Sequence, residues 1–235
     1  MVNEELPAGE NTRRHIKSFV VRAGRMTTAQ SAALERLGPK YLVDVSALER
    51  LETAKIFDRE APLVVEIGFG MGKSFIEMAA ADPERNYLGI EVHPPGVGAC
   101  LMQIEERGLS NVRLIQHDAF EVFTSCLAPE SIDILQIFFP DPWPKARHHK
   151  RRLINPAFVD LIRPLLKHGG EVRMATDWQE YAEEMLSTFE NAAGFKNAAP
   201  EGGYYPRPAW RPLTKFEARG ERLGHGVWDL VFIYE

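Results

Sequence analysis

Leu63-Val64-Val65-Glu66-Ile67-Gly68-Phe69-Gly70-Met71-Gly72-Lys73-Ser74 is the stretch on which the fold turns. Five residues of mostly branched apolar character read as a strand. Three glycines at alternate positions read as a tight turn, and an amphipathic segment then runs to about residue 81. A strand passing through a glycine turn into a helix opens a βαβ unit. Further apolar runs at 87–92, 112–115, 132–139 and 170–175 alternate with helical stretches near 95–107, 155–167 and 178–191. This alternation predicts an α/β fold: an open, mostly parallel, seven-stranded sheet with helices on both faces. The run 132–139 is apolar enough for a central strand covered on both sides. Two short strands near 195–199 and 227–234 close the chain with no helix between them, which predicts an antiparallel C-terminal strand.

The 235 residues are 45% hydrophobic and 26% charged, a globular composition that excludes fibrous and wholly disordered classes. Two cysteines, Cys100 and Cys126, cannot build a disulfide framework and point to a reducing compartment. The acidic start has no signal-peptide core, and no apolar run reaches the ~20 residues a bilayer span requires. A soluble cytoplasmic protein is expected, with no membrane partner. Residues 1–60 read as a basic arm and leader with a frayed tail. Its helices are expected near 27–37 and 46–57, capped by Thr28 and Ser46. Residues 61–235 form the main domain. Net charge is −5, yet residues 11–40 hold seven Lys/Arg against the single acid Glu35, and 147–152 read Arg-His-His-Lys-Arg-Arg. An acidic protein can bind a polyanion through such patches, because local field and counterion release outweigh the total.

In an open parallel sheet, ligands sit beyond the carboxyl ends of the strands. Gly68, Gly70 and Gly72 let a ligand approach the backbone, but their spacing is not the dinucleotide G-x-G-x-x-G, because the third glycine comes one residue early. Glu66, an acid inside the strand, is a feature common to S-adenosylmethionine (AdoMet) sites. Glu91, 23 residues after Gly68, can hold both hydroxyls of a ribose and suits NAD as well as AdoMet. Asp118, after the third strand, can accept the exocyclic amine of adenine. The fourth strand ends in Phe138-Phe139-Pro140-Asp141-Pro142-Trp143-Pro144-Lys145. Prolines on both sides hold the Asp141 backbone extended, fixing a carboxylate beside an aromatic at the mouth of the sheet. The basic run 147–152 follows at once, as in a base-handling pocket beside a phosphate track. No metal is expected: the adjacent His148 and His149 do not share a helix face, and no other cluster has ligand spacing.

Glu66-x-Gly68-x-Gly70-x-Gly72, Phe139-Pro140-Asp141-Pro142-Trp143-Pro144-Lys145, Arg147–Arg152, Ala175-Thr176-Asp177 and Thr214-Lys215-Phe216-Glu217-Ala218-Arg219-Gly220 together resemble the bacterial tRNA (guanine-N7-)-methyltransferase family over nearly the whole chain. The leader, from Lys17 to Thr27, is similar to that family's N-terminal arm. The resemblance implies a Rossmann-like class I methyltransferase that moves a methyl group from AdoMet to N7 of a guanine (guanine-46) in the tRNA variable loop. Glu66, the three glycines, Glu91, Asp118 and Asp141 are then expected at the cofactor, with Asp141 also the catalytic residue. Lys145, Asp177, Thr214, Lys215, Phe216 and Glu217 are expected at the nucleoside, where an acid among 214–217 could accept from guanine N1–H and N2–H₂. Arg147, His148, His149, Lys150, Arg151 and Arg152 are expected on tRNA phosphates. Monomer and homodimer both stay open. Three other readings compete: a methyltransferase acting on an exocyclic amine of another RNA or DNA base, an NAD-dependent oxidoreductase, and a non-catalytic tRNA-binding subunit.

Overall fold

A computed structural model describes residues 17–19, 25–213, 217 and 226–235. The chain opens with α1 (Thr28–Tyr41) and α2 (Thr53–Phe57), then runs β1 (Leu63–Ile67), α3 (Lys73–Ala81), β2 (Asn86–Ile90), α4 (Pro94–Arg107) and β3 (Val112–Ile115). There follow α5 (Ala119–Ser125), β4 (Ile132–Phe138), α6 (Pro156–Ile162), β5 (Leu166–Thr176), α7 (Gln179–Glu190), β6 (Phe195–Asn197) and β7 (Trp228–Tyr234). The seven strands form one sheet of order β3-β2-β1-β4-β5-β7-β6. β1 to β5 pair in parallel, whereas β7 runs antiparallel to both β5 and β6. The expected mixed sheet is therefore the observed one, with β1 and β4 adjacent at its centre.

Successive residues of a strand face opposite sides, so a doubly covered strand must be apolar throughout. In β1, Val64 packs among α3, α4 and α1, while Val65 packs on the α5–α6–α7 side. The leader joins both layers: Ala33, Leu37 and Tyr41 lie in the first and Val45 and Phe57 in the second. α1 can press on α4 because Gly98 has no side chain; a Cβ there would stand 2.7 Å from the Gln30 carbonyl oxygen.

Local chemistry moves three expected boundaries. α1 is capped by Thr27, one residue before the expected Thr28, because Gln30 completes a reciprocal box. The Gln30 amide donates to Thr27 Oγ1 (3.2 Å), and the Thr27 amide donates to Gln30 Oε1 (2.9 Å). Ser46 caps no helix: its amide donates to Asp44 Oδ1 (2.8 Å), Leu48 adopts φ +49°, and helix forms only at Thr53–Phe57. The stretch 155–167 is α-helical only to Ile162 and tightens to a 3-10 turn at Arg163–Leu165, where Pro164 removes an amide donor. α5 lies outside the expected helical stretches and is capped by Asp118, whose Oδ1 accepts from the Phe120 amide (3.0 Å).

Thr27→Ala removes the α1 cap and is expected to lower unfolding free energy by about 1 kcal/mol. Ser46→Ala is expected to stay within ~0.5 kcal/mol of the wild type. Urea titration of both variants checks the contrast.

Candidate active site

Backbone register levels the strand ends. Ile67 pairs with Ile90 on one side and Ile137 on the other, Ile90 pairs with Ile115, and Ile137 pairs with Met174. Just past this apolar row a cleft opens, lined by Gly68, Glu91, Asp118 and Asp141 together with Ile67, Ile90, Ile137, Phe138 and Phe139. Four of the residues expected at the cofactor thus meet on one cavity wall.

Each acid is set by its own local structure. Glu91 is nearly buried and ties the first two crossovers together. Its Oε1 accepts from the amides of Val92 (2.7 Å) and His93 (3.0 Å), and its Oε2 accepts from the Gly70 amide (2.9 Å). Of about four acceptor positions on a carboxylate, three are taken, so one remains for a ligand rather than the two a bidentate grip needs. Asp118 caps α5 through Oδ1, and its Oδ2 has no protein partner among the described residues. Asp141 is exposed at the cleft mouth.

Glu66 lies behind the glycine turn, not on the cleft wall. It is 2% exposed and its Oε2 has no hydrogen-bond partner. In register beside it on β4 is Gln136, whose buried Oε1 is also unpartnered. Burial, with the neighbouring Glu91 carboxylate, pushes the Glu66 carboxyl up to about 8. The turn above it is built for close approach. Gly68 and Gly70 adopt φ +73° and +57°, and a Cβ added to either meets nothing within 4 Å. Gly72 serves packing instead. A Cβ there would sit 2.6 Å from Cys100 Sγ, so this glycine lets α3 start against α4 and does not border the cleft.

The loop carrying Asp141 is held from three sides. Phe139 (φ +52°) and Trp143 (φ +45°) both adopt left-handed backbone, which costs of order 1–3 kcal/mol each for non-glycine residues. The Phe139 amide donates to the Ala175 carbonyl (2.8 Å), setting the ends of β4 and β5 side by side. Behind the loop, Arg152 is 2% exposed; it donates to the Pro142 carbonyl (2.9 Å) and pairs with Glu180 (3.1 Å) and Glu184 of α7. Arg152 is therefore a buried buckle between loop and helix, not the surface phosphate contact expected from the charge run. Above the loop lies the arm segment 17–19. Trp143 Nε1 donates to the Ser18 carbonyl (3.0 Å), and Arg151, stacked 4.2 Å over the Trp143 ring, donates to the carbonyls of Lys17 (3.2 Å) and Phe19 (3.3 Å). Ser18 and Phe19 thereby line the same cleft, a contribution the sequence reading missed.

The other expected residues are spread more widely. Lys145 is exposed and precedes the 3-10 turn Ala146–Arg151, on which Arg147 and Lys150 are exposed. His148 packs edge-on against Trp143, and His149 sits 3.4 Å from Glu180. Partial burial and the cations around it (Arg147, Arg151, Lys145 and Lys150) lower the His148 imidazole below its ordinary value. Asp177 lies two residues beyond Ala175 and lines a separate hollow with Trp178, Glu180, Glu183, Gly226 and Trp228. Thr214, Lys215 and Phe216 lie outside the described residues. Glu217 is 1% exposed, off the cleft wall, and already ion-paired with Arg207 and Arg211.

A seven-stranded sheet of this order, its seventh strand reversed, with a glycine turn and three acids at the carboxyl ends of its strands, defines a Rossmann-like methyltransferase. Two solved structures share the fold: an aminoglycoside resistance methyltransferase, NpmB1 (TM-score 0.51, 17% identity, 78% of this chain and 92% of that one), and the 16S rRNA methyltransferase KamB (TM-score 0.55, 15% identity, 80% and 95%). The family model described as "Putative methyltransferase" matches residues 60–230. Proteins named tRNA (guanine-N(7)-)-methyltransferase are similar over almost the full length. The protein from Chromohalobacter salexigens is 55% identical over 93% of this chain and 89% of its own, and that from Aeromonas hydrophila 56% over 93% and 92%. The relative from Paraburkholderia xenovorans is 54% identical over 97% of this chain and 90% of its own. The chain belongs to the tRNA (guanine-N(7)-)-methyltransferase family.

The Glu66 carboxyl is raised from 4.5 to about 8, so the folded chain keeps a proton that the unfolded chain releases across that interval. Its contribution to stability is present at low pH and is lost as pH climbs through that window, at up to about 1.4 kcal/mol per pH unit. Glu66→Gln is expected to remove this slope, so that the stability difference between variant and wild type grows from pH 5 to 8 (assay limits). Chemical denaturation across that range checks it, and parallel curves refute it.

Proposed function

We propose that this chain transfers a methyl group from AdoMet to N7 of a guanine in the tRNA variable loop. The observation that carries the reading is the convergence of Glu91, Asp118 and Asp141 on one cleft beside an exposed basic turn, in a member of this family. The residues present fit AdoMet. A buried carboxyl oxygen of Glu66 lacks a partner beneath the glycine turn, and the open faces of Gly68 and Gly70 leave that turn clear for a ligand. Asp118 Oδ2 suits an adenine amine, the remaining acceptor position on Glu91 suits one ribose hydroxyl, and the Glu66 carboxyl, protonated below about pH 8, offers an unpartnered oxygen beneath the turn. When bound there, AdoMet supplies an electrophilic methyl carried on a sulfonium.

Guanine N7 has an in-plane lone pair and no proton, so the protein need not remove one. What the chain must do is hold the base in line, an alignment that can supply ~7–11 kcal/mol of the barrier. Asp141 provides a fixed carboxylate on the side where positive charge develops on the purine. The flanking prolines and the Arg152 buckle keep that carboxylate from reorienting as the charge moves. Asp177 leaves the neighbouring strand end and Lys145 follows the loop; both are assigned to orient the nucleoside. Arg147, Lys150 and, once freed from the arm carbonyls, Arg151 contact phosphate.

An NAD-dependent oxidoreductase does not fit a sheet with the reversed β7. Incubation with labelled AdoMet and unmodified tRNA, followed by mapping of the methyl, tests the proposal directly. The expected product is 7-methylguanosine; a methyl on an exocyclic amine, or none, overturns it. Because no side-chain base is needed, single-turnover rates at saturating AdoMet and tRNA are expected to stay level between about pH 6.5 and 8.5. A log-linear rise refutes that step. Lys150→Ala is expected to weaken tRNA binding and reduce the salt slope by about one unit. An unchanged slope removes the turn from the RNA contact.

A further inference from the structure

The segment just before Glu217 bears on Asp141 from the far side of β4. Arg211 is completely buried. Its Nε donates to Asp229 Oδ1 (2.7 Å), its Nη1 to Glu217 Oε2 (2.7 Å), and its Nη2 to Glu217 Oε1 and Asp229 Oδ2 (both 2.9 Å). Arg207 adds a bond to Glu217 Oε1 (2.9 Å) and one to the Arg211 carbonyl (3.3 Å). Two cations and two carboxylates thus balance in a nearly dry site. The Tyr205 amide donates to the Asp229 carbonyl (2.7 Å), binding the same segment to the start of β7.

This clamp ends against the active-site loop. The Arg211 guanidinium stands 5.6 Å from the centre of the Phe139 ring, and the preceding Trp210 packs on Phe138 with centroids 6.2 Å apart. Trp210 is braced in turn by the Arg173 guanidinium at 4.2 Å. Two consecutive residues therefore grip the two consecutive residues that precede Pro140-Asp141. Phe139 is one of the two left-handed residues of that loop, so its ring direction fixes how the chain enters Pro140. Buried ion pairs gain little net stability over apolar packing, but bidentate pairs fix direction. Direction is what a strained aromatic ahead of a catalytic carboxylate requires.

We infer that Arg211 is a positioning residue for methyl transfer: held between Glu217 and Asp229, it seats Phe139 and through it Asp141. Both Glu217 oxygens are engaged by these arginines in three charge-assisted bonds. The inference rests on the reading of Asp141 as the carboxylate beside the reacting atoms.

The test is a cycle of wild type, Arg211→Lys, Asp141→Asn and the double variant. It is read as kcat for tRNA methylation and as AdoMet affinity by calorimetry without RNA, where nothing turns over. Arg211→Lys is expected to cost about tenfold or more in the wild-type background and less than about twofold in the Asp141→Asn background, in either readout. Equal losses in both backgrounds mean a merely structural role and overturn the inference. Phe139→Ala, which removes only the ring, enters the same cycle if Arg211→Lys does not stay folded, with the same two outcomes. A wild type that leaves tRNA unmethylated overturns the functional reading and this inference together; additive losses in an active wild type overturn the inference alone.

Discussion

Parallel pairing with no register slip along β3, β2, β1 and β4 is the constraint on which the site depends. Ile115, Ile90, Ile67 and Ile137 stand level, so every chain leaves the sheet at the same height. A one-residue slip would turn each following side chain to the opposite face. Glu91 follows its isoleucine by one residue, Asp118 by three and Asp141 by four, yet all three reach one cleft because each exit is bent by its own device. For Glu91 these are the amides of Val92, His93 and Gly70; for Asp118, the α5 cap; for Asp141, prolines and a left-handed phenylalanine. The row of isoleucines is also the apolar floor that keeps the cleft from being a plain polar groove.

Such a site is costly to hold together, and the compensation is visible. Two strained backbones, an unpartnered Glu66 oxygen and an exposed Asp141 lie in or around the cleft. Around them stand two fully buried arginines, Arg152 and Arg211, each saturated by carboxylates. One holds the loop to α7 after Asp141, the other holds it to β7 before Asp141. Strain in the middle persists because both flanks are over-determined.

The sheet was legible because strand and helix periods differ and because glycine and proline announce turns. Leu63–Ile67, Lys73–Ala81 and Val112–Ile115 fall where the pattern puts them. The acids at strand ends were legible for the same reason: topology alone aims them. What stayed hidden was partner choice. Arg152 reads as one more cation in a basic run, and only the fold shows Glu184 beside it, 32 positions away. Glu217 reads as a site residue from its motif, while Asp229, which shares its arginine, lies in β7. Gly72 reads like Gly68 and Gly70, and only the approach of Cys100 separates them. A linear pattern gives charge and spacing; it does not say which charges neutralise one another.

That sorting of charge shows how, on the proposed function, a chain of net charge −5 would accommodate a polyanion. The carboxylates of Glu91, Asp118 and Asp141 line the cleft, where on the proposed function a sulfonium and a forming purine cation would need them. Cations divide into two populations: Arg152 and Arg211 are neutralised inside the fold, while Arg147 and Lys150 stay exposed on the turn beside the cleft. On the proposed function, phosphates approaching that turn would meet positive potential, and a base entering the cleft would meet negative potential. Arg151 lies between the two populations, directing its donors to carbonyls at Lys17 and Phe19 while stacked on Trp143. A phosphate oxygen is a stronger acceptor for a guanidinium than a peptide carbonyl. On the proposed function, an incoming RNA backbone would compete with residues 17–19 for the same donors, which would tie cover of the cleft to phosphate contact at the turn.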